Sequence, residues 1–190
     1  MVKISKSVKF VDYLHVTGGE PLLQVEALRE LFSKVKSLGL MISLNTNLTL
    51  ASELERLLKD GLLDHVATDL KVPFDIMSGL GEKARNYWGE YLKSLELLRG
   101  YEVTLELRVP VARGITLGAL GNALREILPL LKGLRKSYCV VNPLIGPPVL
   151  STRDGDWSRR YCNPPRWEVM KVADLIKRKL GLRTYVKKWW

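Results

Sequence analysis

The sequence has little cysteine, little histidine and almost no glutamine. Its 190 residues include two cysteines (Cys139, Cys162), two histidines (His15, His65) and a single glutamine, Gln24. So few cysteines exclude a disulfide scaffold and suit a reducing, cytoplasmic compartment. They also exclude a self-contained four-cysteine zinc site or three-cysteine cluster within these residues. Long apolar runs are missing too. Charge interrupts each one well short of the ~20 residues that cross a bilayer, so no membrane span is expected. The first ten residues, MVKISKSVKF, carry no apolar h-region of a secretory signal.

What is present reads as one globular domain. Hydrophobic residues make up 46% and charged residues 26%. A chain of this length buries about 70% of the surface its unfolded form exposes. The net charge of +10 is lopsided: residues 1–98 hold 12 basic and 13 acidic groups, residues 99–190 hold 18 and 7. A basic half attracts nucleic acid, an acidic protein or a small anion. The same composition, with its scarcity of glutamine, also fits the charge-rich solvated surface of a thermophile protein.

Short apolar runs alternate with longer runs of 3.6-residue period. Strands are expected at 13–16, 40–44, 65–70, 102–109 and 137–144, with a final one at 183–186. Helices are expected at 22–38, 52–58, 83–98, 117–131 and 166–180, and most stop at a glycine. About five βα units without hairpin signals predict right-handed crossovers and a parallel sheet, either doubly wound or an incomplete (β/α) barrel. The stretch 145–165 follows a strand and carries four prolines beside Arg153, Trp157, Arg159, Arg160 and Tyr161. It is expected to be a long functional loop.

In either architecture, function gathers at the C-terminal ends of the strands. The predicted strands end in Thr17-Gly18-Gly19-Glu20-Pro21, Asn45-Thr46-Asn47, Asp69-Leu70-Lys71, Arg108 and Asn142-Pro143. Gly18 and Gly19 let the backbone approach a ligand. Glu20 can accept from an ammonium group and Asp69 from ribose hydroxyls, while Lys71 and Arg108 suit a carboxylate. Together they imply a small zwitterionic ligand that carries a sugar. The alternative is five unrelated strand-to-loop turns, since Gly, Asn and Asp end strands anyway.

Val16-Thr-Gly-Gly-Glu-Pro-Leu-Leu-Gln24, then Leu44-Asn-Thr-Asn47 and Ala67-Thr-Asp-Leu-Lys71, resembles a radical S-adenosylmethionine (SAM) enzyme. Within that superfamily it is most similar to glycyl-radical-enzyme activases, including activators of anaerobic ribonucleotide reductase and pyruvate formate-lyase. The resemblance runs from about Tyr13 to Pro143 and implies an incomplete (β/α) barrel. It implies SAM and a [4Fe–4S] cluster as cofactors, a 5′-deoxyadenosyl radical as product of SAM cleavage, and a glycyl radical enzyme as partner. It places Gly18, Gly19 and Glu20 at the SAM amino group, Asp69 and Lys71 at the ribose or carboxylate side, and Arg108 at SAM's polar end. Asn45, Asn47 and Asn142 complete the expected cofactor-binding set. Asn45, Thr46 and Asp69 match a position where some activases hold a monovalent cation, with asparagine standing here for the family's aspartate.

The resemblance also exposes a departure. The family's Cys-x3-Cys-x2-Cys loop lies upstream of Gly-Gly-Glu-Pro, and no cysteine precedes Gly18 in this chain. On that basis residues 1–190 are read as a single radical SAM-like domain short of its first βα unit. Such a domain is expected not to cleave SAM by itself, whether it stems from an internal start, a mis-called start codon, a split gene or a degenerate homologue. Three functions follow: an activase-type domain; a radical SAM enzyme that modifies RNA or a small molecule, favoured by the basic half; and a non-catalytic remnant that binds SAM, nucleotide or RNA. Cys139 is expected as a buried thiol and Cys162 as an exposed one. His15 and His65 are expected to be structural, at strand starts opposite the site. The open sheet edge predicts a homodimer, or cover from residues 1–12 or 182–190.

Overall fold

The computed structural model describes residues 8–146 and 155–187. Within them, six parallel strands form one sheet in sequential order: β1 (Tyr13–Val16), β2 (Met41–Asn45), β3 (His65–Asp69), β4 (Thr104–Val111), β5 (Lys136–Pro143) and β6 (Arg183–Val186). The helices are α1 (Val25–Lys36), α2 (Ala51–Lys59), α3 (Phe74–Ser78), α4 (Ala84–Leu98), α5 (Thr116–Leu131), α6 (Gly155–Tyr161) and α7 (Arg166–Leu180). This is the open α/β half-barrel expected, and the final strand expected at 183–186 is present as β6.

Sequential order fixes the layering. Each crossover of the same hand places its helix on the same side of the sheet, so the helices cover one face and leave the other to the lumen. Strand residues therefore alternate. In β4, Leu105, Leu107, Val109 and Val111 are fully buried, while Thr104, Glu106, Arg108 and Pro110 between them are only partly covered. The apolar set meets Leu28, Phe32 and Val35 of α1, Leu54 and Leu57 of α2, Leu95 and Leu98 of α4, and Val169, Val172 and Ile176 of α7 in one continuous core. Among the described residues no helix is long and apolar enough to cross a membrane.

Several details depart from the sequence expectation, each for a local reason. The first predicted helix begins as a 3₁₀ turn, Pro21–Gln24, capped by the Glu20 side chain, before α1 takes over. Helix α3 has five residues, too few to show a 3.6-residue period. Residues 155–161 of the expected long loop form α6. Its end is tied to the neighbouring strand ends, since Arg113 N donates to Tyr161 O at 2.7 Å and Asn163 N to Leu144 O at 2.7 Å. That folding overturns the expectation for Cys162, which is 2% exposed. Cys139, on the helix-covered side of β5, is buried as expected, and burial pushes its thiol pKa up to about 12. Both cysteines are free thiols. Arg153, Trp189 and Trp190 lie outside the described residues, as does most of the N-terminal segment proposed to cover the sheet edge.

Phe32 is fully buried between α1 and the sheet. Phe32→Ala should lower stability by about 3–5 kcal/mol in urea unfolding, as a large aromatic lost from a packed core does.

Candidate functional site

The strand ends meet as the spacing implied. Gly18 and Gly19 both take positive φ, 102° and 56°, which lets the chain turn sharply out of β1. The turn delivers Glu20, whose carboxylate joins the ends of two strands. Its Oε1 accepts from Leu22 N at 3.1 Å and from Thr46 Oγ1 at 2.7 Å, and its Oε2 accepts from Asn47 N at 2.7 Å. Leu48, next along, is buried in the left-handed region at φ 59°. Its N–H donates to Thr46 Oγ1 and its carbonyl accepts from the buried Ser94 hydroxyl at 2.8 Å. These bonds hold an unfavourable backbone conformation in place and fix the Asn45–Asn47 corner.

Arg108 links three strands. Its Nε lies 2.9 Å from Asp69 Oδ1, and its NH2 donates to Asn45 Oδ1. The Nε contact is an ion pair without hydrogen-bond alignment, so this buried N–H has no aligned acceptor. Asn45 in turn donates from Nδ2 to Thr17 Oγ1 at 2.8 Å. A guanidinium therefore occupies the space between Asn45 and Asp69, and the Arg108 charge opposes a metal ion there.

Two chambers flank this arginine. The upper one, about 390 Å³, is lined by Gly19, Glu20, Asn45, Asn47, Asp69 and Lys71, with Thr49, Phe74, Ser78 and Tyr87 completing its wall. It thus collects six of the nine residues expected to bind cofactor. Arg108 lies at its boundary, Gly18 precedes Gly19 in the turn, and Asn142 stands apart on β5 with a buried Oδ1 that has no partner. The wall from α3 and α4 was not foreseen. Phe74 packs 5.5 Å from Trp88 and 6.5 Å from Tyr91, and Trp88 stacks on Tyr91 at 5.4 Å. Those aromatics hold α3 beside the strand ends, and the only sequence sign of it was the Val-Pro-Phe after Lys71.

The lower chamber, about 510 Å³, lies on the lumen face below Arg108 and is lined by Tyr13, His15, Ser43, His65, Glu106 and Tyr138, among others. The two histidines expected to be merely structural face this space, and His15 lies within β1 instead of at its start. Burial holds the His65 pKa below its ordinary value of 6.5; the Glu106 carboxylate opposes that shift, and His15 and Arg108 add to it. Burial raises the Tyr138 pKa, and the bond to Glu106 raises it further.

The Radical SAM superfamily model matches residues 1–127. The chain belongs to the radical SAM superfamily. A Methanocaldococcus jannaschii protein named as a glycyl-radical enzyme activating enzyme is 33% identical over 105 residues, which is 52% of this chain and 42% of that protein. This chain therefore spans less than half the length of that relative. A domain of pyruvate-formate lyase-activating enzyme from Bacteroides vulgatus superposes with a TM-score of 0.58 at 16% identity, over 94% of this chain and all of that domain. The protein anSMEcpe, solved with bound AdoMet and the Kp18Cys peptide, superposes with a TM-score of 0.60 at 17% identity, over 97% of this chain and 53% of that one. At these identities the solved structures speak for the fold.

The family implies SAM and a [4Fe–4S] cluster, and the described residues fit the two differently. The upper chamber fits SAM in size, within the 300–1,000 Å³ typical of ligand pockets. It also fits in chemistry, with carboxylate, amide and ammonium groups around one space. The cluster does not fit. A [4Fe–4S] centre is held by Cys thiolates, and both cysteines here are buried and line neither chamber. No group of three or more His, Cys, Asp or Glu suited to a metal ion occurs among the described residues.

Glu20→Ala removes three hydrogen bonds to a carboxylate. It should lower stability by about 1–3 kcal/mol in urea unfolding. His65 makes stability depend on pH. Its folded pKa is depressed, so the unfolded chain binds more protons as the solution is acidified. Its contribution is complete above pH 6.5 and is lost as pH falls from there through the lower folded value. The thermal midpoint should fall on acidification through that window, and His65→Gln should flatten this part of the profile.

Proposed function

We propose that this chain is the SAM-binding domain of an activase-type radical SAM enzyme whose partner is a glycyl radical enzyme. The observation that carries the reading is the convergence of Gly19, Glu20, Asn45, Asn47, Asp69 and Lys71 on one chamber at the strand ends. The relative named as a glycyl-radical enzyme activating enzyme supports the choice of partner.

When bound beside a reduced cluster, SAM supplies a 5′-deoxyadenosyl radical in this family. What the residues of this chain contribute is binding and orientation. Gly18 and Gly19 turn the chain sharply at the chamber's edge, where backbone without a side chain suits the close approach of an ammonium. Glu20 is held by its own hydrogen bonds and retains lone-pair capacity to accept from it. Asp69 accepts ribose hydroxyls, and Lys71 and Arg108 draw a carboxylate. Because the cluster does not fit the cysteines present, no redox step is assigned to these residues.

Isothermal calorimetry tests the reading. SAM should bind the purified chain, and Asp69→Ala should weaken it at least about tenfold, equivalent to 1.4 kcal/mol, with circular dichroism unchanged. No heat of binding to wild type, or equal affinity in the variant, would remove the upper chamber as the SAM site.

The basic C-terminal half supports a second reading, in which RNA docks there as substrate or partner. Trp167 on α7 is 57% exposed, and Lys171 Nζ lies 5.0 Å over its ring. Arg160 lies 5.9 Å over Tyr161. Stacking rings beside cations suit single-stranded nucleic acid. Affinity for a single-stranded RNA should fall steeply as salt is raised; binding that ignores salt would rule this surface out.

A further inference from the structure

The lower chamber contains a hydrogen-bonded chain across five strands, and its direction follows from chemistry. Glu106 is a carboxylate and can only accept, so the Tyr138 hydroxyl donates to its Oε2 at 2.7 Å. Tyr138 has one hydroxyl proton, so its oxygen accepts the second bond, from His65 Nε2 at 3.2 Å. A neutral His65 protonated on Nε2 is bare on Nδ1. That nitrogen accepts from the Ser43 hydroxyl at 2.8 Å. Ser43 Oγ then accepts from His15 Nδ1 at 2.8 Å. His15 is thereby fixed as the Nδ1–H tautomer, which leaves its Nε2 bare. His15 is exposed and lines the chamber.

We propose that the lower chamber is a proton-accepting site for a small ligand with a weakly acidic O–H or S–H group, with His15 Nε2 as the accepting atom. The ligand's proton goes to His15 Nε2, so the ligand becomes an anion and His15 an imidazolium that keeps its Nδ1–H on Ser43 Oγ. The Glu106 carboxylate stays ionised at the far end of the chain, where it sets the direction of each bond.

The surroundings favour that outcome. The Arg108 guanidinium lines the same chamber, so an anion formed there meets a cation. Tyr13 and Met41 give the space an apolar wall. The other ionisable groups near the chain are engaged. Asp64 is held by Lys36 Nζ at 2.6 and 2.7 Å and accepts from Ile42 N. Tyr185 of β6 packs edge-on against Tyr138 with Arg183 over its ring. The site shares no accepting atom with the upper chamber, and SAM takes no part in its proton transfer.

The probe is 4-nitrophenol, whose phenolate is yellow and whose phenol is colourless. Mixed with the purified chain, it should yellow about one pH unit below its transition in buffer, which is a tenfold preference for the phenolate. Ser43→Ala cuts the chain between the histidines, and Glu106→Gln removes the carboxylate that sets its direction. Both should return the transition to the buffer value. ¹⁵N NMR of the wild-type histidines should show His15 as the Nδ1–H tautomer and His65 as the Nε2–H tautomer, with His15 reverting to the ordinary mixture in Ser43→Ala. An unshifted transition in wild type, an equal shift in Ser43→Ala, or an Nε2–H tautomer at His15 overturns the proposal. A colour shift that persists in Lys71→Ala, whose side chain lines the upper chamber and not the lower, supports a site separate from the SAM chamber. Failure of SAM to bind wild type leaves the colour test intact.

Discussion

Each strand of this sheet has helices on one side only, and that constraint decides what its residues can be. Sequential strand order sends every crossover the same way. Half of each strand must then be apolar enough to seal a helix layer. The other half is free of that duty and can be polar, charged or aromatic. The pattern is clearest in β4, where Glu106 and Arg108 alternate with Leu105, Leu107 and Val109 without interrupting the core. Polar groups buried in a parallel sheet ordinarily need partners. Here they find them across the lumen, in the Asn45–Arg108–Asp69 link and in the chain from His15 to Glu106.

The same constraint separates stability from chemistry along the barrel axis. Glu20 belongs to both. Its carboxylate caps the turn into α1 and pins the β2 corner, so a residue expected mainly to meet a ligand also holds the loops in which that ligand would lie. A site built this way is largely formed before anything binds, which reduces the ordering cost of association.

The sequence revealed more of the upper chamber than of the lower, and the reason is range. Gly-Gly-Glu-Pro, Asn-Thr-Asn and Asp-Leu-Lys each sit within a few residues at a strand end, where apolar periodicity stops and polar residues begin. Parallel topology then brings those ends together. The lower chamber leaves no such local sign. His15, Ser43 and His65 are 28 and 22 residues apart in turn, and only the register that sets His15 against Ser43 and Ser43 against His65 makes them neighbours. Read singly, each histidine looks like an ordinary strand residue. Helix α3 was missed because five residues carry no period, and the burial of Cys162 because it depends on α6 folding back onto the strand ends.

Arg108 forms the boundary between the two chambers and has contacts or lining atoms in both. A ligand above that draws Asp69 away would leave the guanidinium more strongly drawn to whatever lies below. An anion below would weaken its hold on Asp69. Two chambers that share one cation are thermodynamically linked, and the coupling must be equal in both directions.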